Sequence, residues 1–175
     1  MSQGGTNFHG VVMGGSLNSL LDSLKRENKT IKDVLNDTDE YGISLLEDAI
    51  AWRSFDIANY LLDAGAKVNV VSKMKCNEFH YLAAHINCDE GLKIANRLLE
   101  LGVDLNLTDK KYGNSAIFTL FHEIARKMLP AQVEFFIRCL KKGPRLDDAN
   151  KGGITLRQAI EGRGTDEMKR IAEGL

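Results

Sequence analysis

Three cysteines and two prolines are all that a chain of 175 residues contains of each. Cys76, Cys88 and Cys139 form no CxxC pair, and an odd number cannot be wholly paired into a disulfide framework. Free thiols point to a reducing compartment, so the cytoplasm is the expected location. No apolar run approaches the roughly 18 residues needed to cross a bilayer, so no membrane role is expected. Neither sign of charge dominates: 23 Lys and Arg stand against 24 Asp and Glu, for a net charge of −1. A dedicated nucleic-acid binder carries a strong basic excess, so nucleic acid is not an expected partner. The opening stretch MSQGGTNFHGVVMGGS has no basic segment leading into an unbroken apolar one, so it does not read as a signal peptide. Its glycines at positions 4, 5, 10, 14 and 15 read instead as a flexible leader over residues 1–15.

Signatures of chemistry are equally sparse. FHEIAR, from Phe121 to Arg126, begins like a zinc-binding HExxH helix, but Arg126 stands where the second histidine must be. His80 and His85 lie five residues apart and diverge on a helix rather than converge on a metal. No cysteine has a histidine at a suggestive local spacing. Neither MGGS at Met13 nor EGRGTDE at Glu161 has the spacing of a phosphate-cradling loop. The expectation is a protein that is not an enzyme and uses no metal or cofactor.

What the chain does contain is repetition. LLDAGAKVN ends at Asn69, LLELGVDLN at Asn106 and CLKKGPRLD at Asp147. Aligned on Gly65, Gly102 and Gly143, each has an amphipathic run before the glycine, an aliphatic (Val68, Leu105, Leu146) three residues after it, and then Asn or Asp. A glycine just past such a run is a helix C-cap in the left-handed region, where a Cβ would clash. The Asn or Asp behind it suits a turn, because its side chain can bond nearby backbone. Upstream, a turn-former leads each time to Ser44, Asn77, Ser115 or Thr155, residues whose side-chain oxygens can cap the first helical turn. Behind these caps apolar residues recur at helical spacing: Leu46, Ala49 and Ile50, then Phe79, Leu82 and Ala83, then Ile117, Leu120 and Phe121. The unit is therefore turn, short helix, loop, second helix, glycine, and the chain is all-α.

From Ser44 to Asn77 is 33 residues, the ankyrin period. With DEYGISLL at Asp39 standing for DxxGxTPLH and LLDAGAKVN for LLxxGADVN, the chain resembles an ankyrin-repeat protein from Asp39 onward. The proline of TPLH is replaced by Leu45, Glu78, Ala116 and Leu156. His80 occupies the histidine position of that motif, where the family uses it for a hydrogen bond between turns. The resemblance implies a solenoid of about five helix pairs with polar end caps, because an end repeat has a neighbour on only one side. Residues 16–38 would be the N-terminal cap, with short helices opened by Ser16 and Thr30. Residues 39–71, 72–108 and 109–149 would be repeats, and 150–175 a C-terminal cap with helices opened by Thr155 and Thr165. The second and third repeats carry extra residues between their helices, in HINCDEGLK and HEIARKMLPAQ, with Pro130 in a first helical turn. Such insertions belong to a binding face or are tolerated loop growth.

The resemblance also implies that a partner binds across the turn tips and the exposed face of each first helix. Carried onto this sequence, those positions are Glu40, Tyr41, Ile43 and Trp52 in the first repeat, and Lys73, Met74, Cys76 and His85 in the second. In the third they are Lys111, Tyr112 and Asn114, with His122 and Glu123 behind them. Trp52 packs inside or joins this surface. Lys73, Lys75, Lys110 and Lys111 read as a basic rim for an acidic partner or as a solvated edge. The expected function is a monomeric, non-catalytic module for one protein partner. The style of the whole chain is similar to ankyrin-type immunity proteins, which neutralise a cognate bacterial toxin by covering its site. The alternative is a scaffold or regulatory subunit that modulates an enzyme or transcription factor.

Overall fold

A computed structural model describes residues 6–175. Among these residues regular structure is helical throughout, apart from the isolated bridges Thr38–Ser44 and Thr108–Ser115. The helices are α1 (Phe8–Gly14), α2 (Leu17–Arg26), α3 (Leu45–Ala51), α4 (Phe55–Asp63), α5 (Glu78–Leu82) and α6 (Asp89–Glu100), followed by α7 (Ala116–Ile124), α8 (Pro130–Leu140), α9 (Leu156–Arg163) and α10 (Asp166–Glu173). None is long and apolar enough to cross a membrane. The first helices of successive pairs, α1, α3, α5 and α7, pack on one another in one row, while α2, α4, α6, α8 and α10 form a second. Each short helix buries one stripe against its own partner and its neighbours in the row, so the core runs continuously between the rows. Phe79 packs on Phe135 with ring centroids 6.3 Å apart, and Phe121 on Phe136 at 5.1 Å.

Helix starts sit where oxygen-bearing side chains precede apolar runs. Ser44 accepts from the Glu47 amide at 3.2 Å, and Glu47 returns the bond by accepting from the Ser44 amide at 2.7 Å, a reciprocal capping box. Thr155 with Gln158 at α9 and Asn77 with His80 at α5 form further boxes, while Ser16, Ser115 and Thr165 cap α2, α7 and α10 by accepting from a first-turn amide. Pro130 occupies the first turn of α8, where the amide it does not have would have no helical partner. The extra residues of the second and third repeats lie between first and second helices, as the sequence implies. They pack together there, with the Gln132 side-chain amide donating to the Ile86 carbonyl at 3.1 Å.

The asparagines behind the glycines do more than shape a local turn. Asn69 Oδ1 accepts from the Asp104 amide at 2.6 Å, and Asn106 Oδ1 from the Arg145 amide at 2.8 Å. Asn36, in the matching place one pair earlier, accepts from the Lys67 amide at 2.9 Å. Each side chain thus satisfies a backbone donor of the following repeat. His85 adds a similar fastener, its Nε2 lying 2.9 Å from the Ala51 carbonyl and its ring edge-on to Phe55.

The N-terminal region departs from expectation in two places. Residues 1–5 of the expected flexible leader lie outside the described residues, but residues 8–14 form α1 despite Gly10 and Gly14. Phe8 and Val12 fall one helical turn apart and are buried, and that burial outweighs the weak helix preference of glycine. Ser54 Oγ donates to the Val12 carbonyl at 2.9 Å, and His9 Nδ1 lies 2.5 Å from Asp48 on α3. The first helix pair is therefore α1 with α2, the helix expected behind Ser16, and no second helix follows Thr30. Thr30 opens only a three-residue 3-10 turn, Ile31–Asp33, in which the Asp33 carboxylate accepts from both the Thr30 amide and hydroxyl. That local bonding, followed by the β-branched Val34 and by Asn36 and Asp37, gives the chain no reason to propagate a helix.

Gly65 and Gly102 hold φ values of +85° and +76° at the ends of α4 and α6, and a Cβ added at either would meet nothing within 4 Å. Space is open at both sites, so only the backbone conformation opposes a side chain. Replacing either glycine with valine should lower stability by about 1–2 kcal/mol, read from the urea midpoint. An unchanged midpoint for both variants would show that these turns relax at no cost.

Candidate functional site

A groove of about 750 Å³ is formed by the turn tips of the second and third repeats and the exposed faces of α5 and α7. Eight of the residues expected on the binding surface line it: Ile43, Met74, Cys76, Lys111, Tyr112, Asn114, His122 and Glu123. Tyr41, Trp52, Glu40 and Lys73 are exposed but lie outside the groove. Trp52 is 57% exposed at the end of α3, so it belongs to the surface and not to the core. His85 is also outside the groove, half-buried between repeats.

The tips present their side chains in register because their backbones are joined. The Asp39 carboxylate accepts from the amides of Tyr41 and Ile43, both at 2.8 Å, and closes the first tip. Asp109 does the same for Tyr112 at 2.6 Å and Asn114 at 2.9 Å. Between tips, the Lys73 amide donates to the Tyr41 carbonyl at 2.8 Å, Lys110 to Met74 at 2.8 Å and Lys151 to Tyr112 at 2.9 Å. This ladder sets Tyr41, Met74 and Tyr112 at equivalent positions, 58%, 46% and 56% exposed. Large side chains held in water by a rigid frame are what an interface uses as anchors.

His80 supports the frame from below. Its Nδ1 faces Asn77, with the Asn77 amide 3.2 Å away, and its Nε2 lies 3.3 Å from the Asn114 carbonyl in the next tip. The histidine thus bridges two turns, and burial lowers its pKa, so it is neutral at physiological pH. Sequence reasoning did not single out Tyr81, Thr119 or Asp109, which also line the groove. A signal existed: Tyr81 and Thr119 each stand four residues after their caps, Asn77 and Ser115, one turn up the same helix face.

Three polar groups of the floor, the Cys76 thiol, the His80 imidazole and the Tyr81 phenol, carry no charge at neutral pH. Burial is the main reason that the Cys76 thiol is pushed up to about 11, with the nearby carboxylates of Asp109 and Glu47 adding to it. Burial likewise pushes the Tyr81 phenol up to about 12. A thiol with so high a pKa is almost wholly protonated at neutral pH and is a poor nucleophile. Beneath this floor lie two carboxyl groups with no exposure, Glu47 on α3 and Glu78 on α5. Burial raises Glu47 to about 8, with the charge of Glu78 reinforcing the shift, and burial raises Glu78 as well. Neither has a cationic partner among the described residues; Glu47 Oε1 has no hydrogen bond, and only the backbone amides of Glu78, Asn69 and Val70 face the Glu78 carboxyl.

Compared with known proteins, the chain matches no protein-family model and no curated protein sequence.

The buried carboxyls set a pH dependence. Glu47 is protonated when folded up to about 8, whereas unfolding returns it to 4.5. The folded state therefore binds the extra proton between those values, and stability is full below the lower one and declines as pH rises through the upper. The unfolding free energy from urea titration should fall from pH 5 to about pH 8, by an amount on the order of a few kcal/mol, and level off above that. Glu47→Gln, which keeps the capping box, should match the native chain at pH 5 and exceed it at pH 9. Equal slopes for the two proteins would show that Glu47 is not the group responsible.

Proposed function

We propose that this chain is an ankyrin-type solenoid which binds one protein partner, performs no chemistry, and acts in the cytoplasm as an immunity protein that neutralises a cognate bacterial toxin by covering its site. The observation that carries the binding function is the groove with its rigid tips, where Met74 and Tyr112 stand half-exposed above the floor of Cys76, His80 and Tyr81. Helices packed in two rows, with the first four pairs clasped in succession by Asn36, Asn69 and Asn106, support the solenoid reading. Uncharged floor groups and a protonated thiol suit burial against a partner better than they suit proton transfer or nucleophilic attack. Neutralisation follows from occlusion alone, since a lid of this size needs only to deny substrate its path. The immunity role draws on the resemblance of the chain's style. A scaffold or regulatory subunit would use the same surface and leave its partner active.

The test is capture of a partner from the source cell with the full chain, followed by titration of that partner's activity. Stoichiometric inhibition supports the immunity role, and a bound but fully active partner selects the scaffold. Met74→Ala and Tyr112→Ala should each weaken binding by about 1–3 kcal/mol, as anchors do, with melting curves unchanged. Lys93→Ala, an exposed change on α6 in the other row, should bind like the native chain. Normal binding by both groove variants would move the site elsewhere.

A further inference from the structure

The tips carry a pattern that the groove does not explain. In each, the residue at the left-handed position donates its amide back to the turn-former: Gly42 to Asp39, Lys75 to Ser72, Gly113 to Asp109 and Gly153 to Asn150. The φ values are +75°, +57°, +70° and +77°. Three tips use glycine, the residue that adopts this conformation without strain, and the second uses lysine. Arg53 and Met128 also hold positive φ in the loops between helices, but among the four tips only the second places a side chain at that position, at a cost in backbone strain.

Lys75 is one of five lysines on three neighbouring tips. Lys73, Lys110 and Lys151 take equivalent places, because each donates its amide to the preceding tip, and Lys111 stands beside Tyr112. All five are exposed, and none makes an ion pair among the described residues. Elsewhere Arg97, Arg126, Arg145 and Arg157 each meet a carboxylate. The chain as a whole is close to neutral, so this edge is a local excess of positive charge on a rigid frame.

Resting on the partner-binding reading above, we infer that the tip edge holds an acidic segment of the protein partner, laid across the second, third and fourth tips with Lys73, Lys75, Lys110 and Lys151 facing its carboxylates. Compact ammonium groups suit such point contacts, and the ladder prepays their alignment. A protein segment fits better than nucleic acid, because the tip edge adjoins a mainly apolar groove lined by Ile43, Met74, Tyr81 and Tyr112, which the apolar side chains of a polypeptide can fill and a phosphate backbone cannot.

The experiment titrates the full chain against labelled poly-L-glutamate and a labelled DNA duplex at low salt, following fluorescence anisotropy. Polyglutamate should bind, and should release as salt rises through physiological strength. Lys75→Gly should raise the melting midpoint by roughly 2–4 °C through relief of the left-handed strain, while weakening polyglutamate binding roughly two- to fivefold. Lys73→Gln and Lys110→Gln together should weaken it further, and Lys93→Gln on α6 should have no effect. Tighter binding of DNA than of polyglutamate, an effect of Lys93→Gln equal to that of the tip changes, or a Lys75→Gly variant with undiminished binding would each overturn the inference. Absence of polyglutamate binding would overturn it without touching the groove, whereas groove variants that capture a partner normally would overturn the earlier reading and leave this titration standing.

Discussion

Backbone hydrogen bonds between neighbouring tips are the constraint on which the rest of the surface depends. Helices satisfy their own amides, so stacked helix pairs touch one another mainly through apolar side chains, which resist sliding only weakly. The bonds from Lys73 to Tyr41, Lys110 to Met74 and Lys151 to Tyr112 add directional links at a fixed place in every pair. Just ahead of each tip the asparagine clasps at Asn36, Asn69 and Asn106 add another link, and at the opposite ends of the helices His85 reaches the Ala51 carbonyl and Gln132 the Ile86 carbonyl. Held at both edges, the stack has a defined register, and side chains far apart in sequence meet the solvent in a line.

That register explains why the groove can be both wet and ordered. Its walls belong to tips closed by Asp109 and Ser72, and its floor to α5 and α7, each capped and buried on its other face. His80 ties floor to wall through the Asn114 carbonyl, and remains neutral because it is buried. Little reorganisation would accompany docking, and preorganised surfaces lose less free energy to ordering when they bind. The frame also tolerates two features that oppose stability: Lys75 at a positive φ, and the buried carboxyls of Glu47 and Glu78, which have no cationic partner among the described residues. Both sit at or just beneath the tips, where the backbone links are densest.

Much of the local structure was legible from residue chemistry. Ser44, Ser115 and Thr155 announced helix starts because a side-chain oxygen beside free amides has one favourable use, and Gly65 and Gly102 announced helix ends because φ there is positive. The leader was misread because glycine content is a local signal, whereas the burial of Phe8 and Val12 against α3 is not. Tyr81 and Thr119 were overlooked because a half-exposed residue on a mostly buried helix looks like core until the neighbouring tip is placed above it.

The sequence by itself determined the all-α class, the repeating cap and glycine grammar, and most of the side chains that reach the tips. These follow from interactions within a few residues, which a linear pattern records directly. Tertiary structure alone decided that α1 pairs with α2, that Trp52 faces water, and that His85 fastens two repeats and does not line the groove. It alone set Glu47 beside Glu78 and aligned the lysines of three tips. Each of those facts depends on which atoms of distant segments come within bonding distance, and no spacing along one chain encodes that.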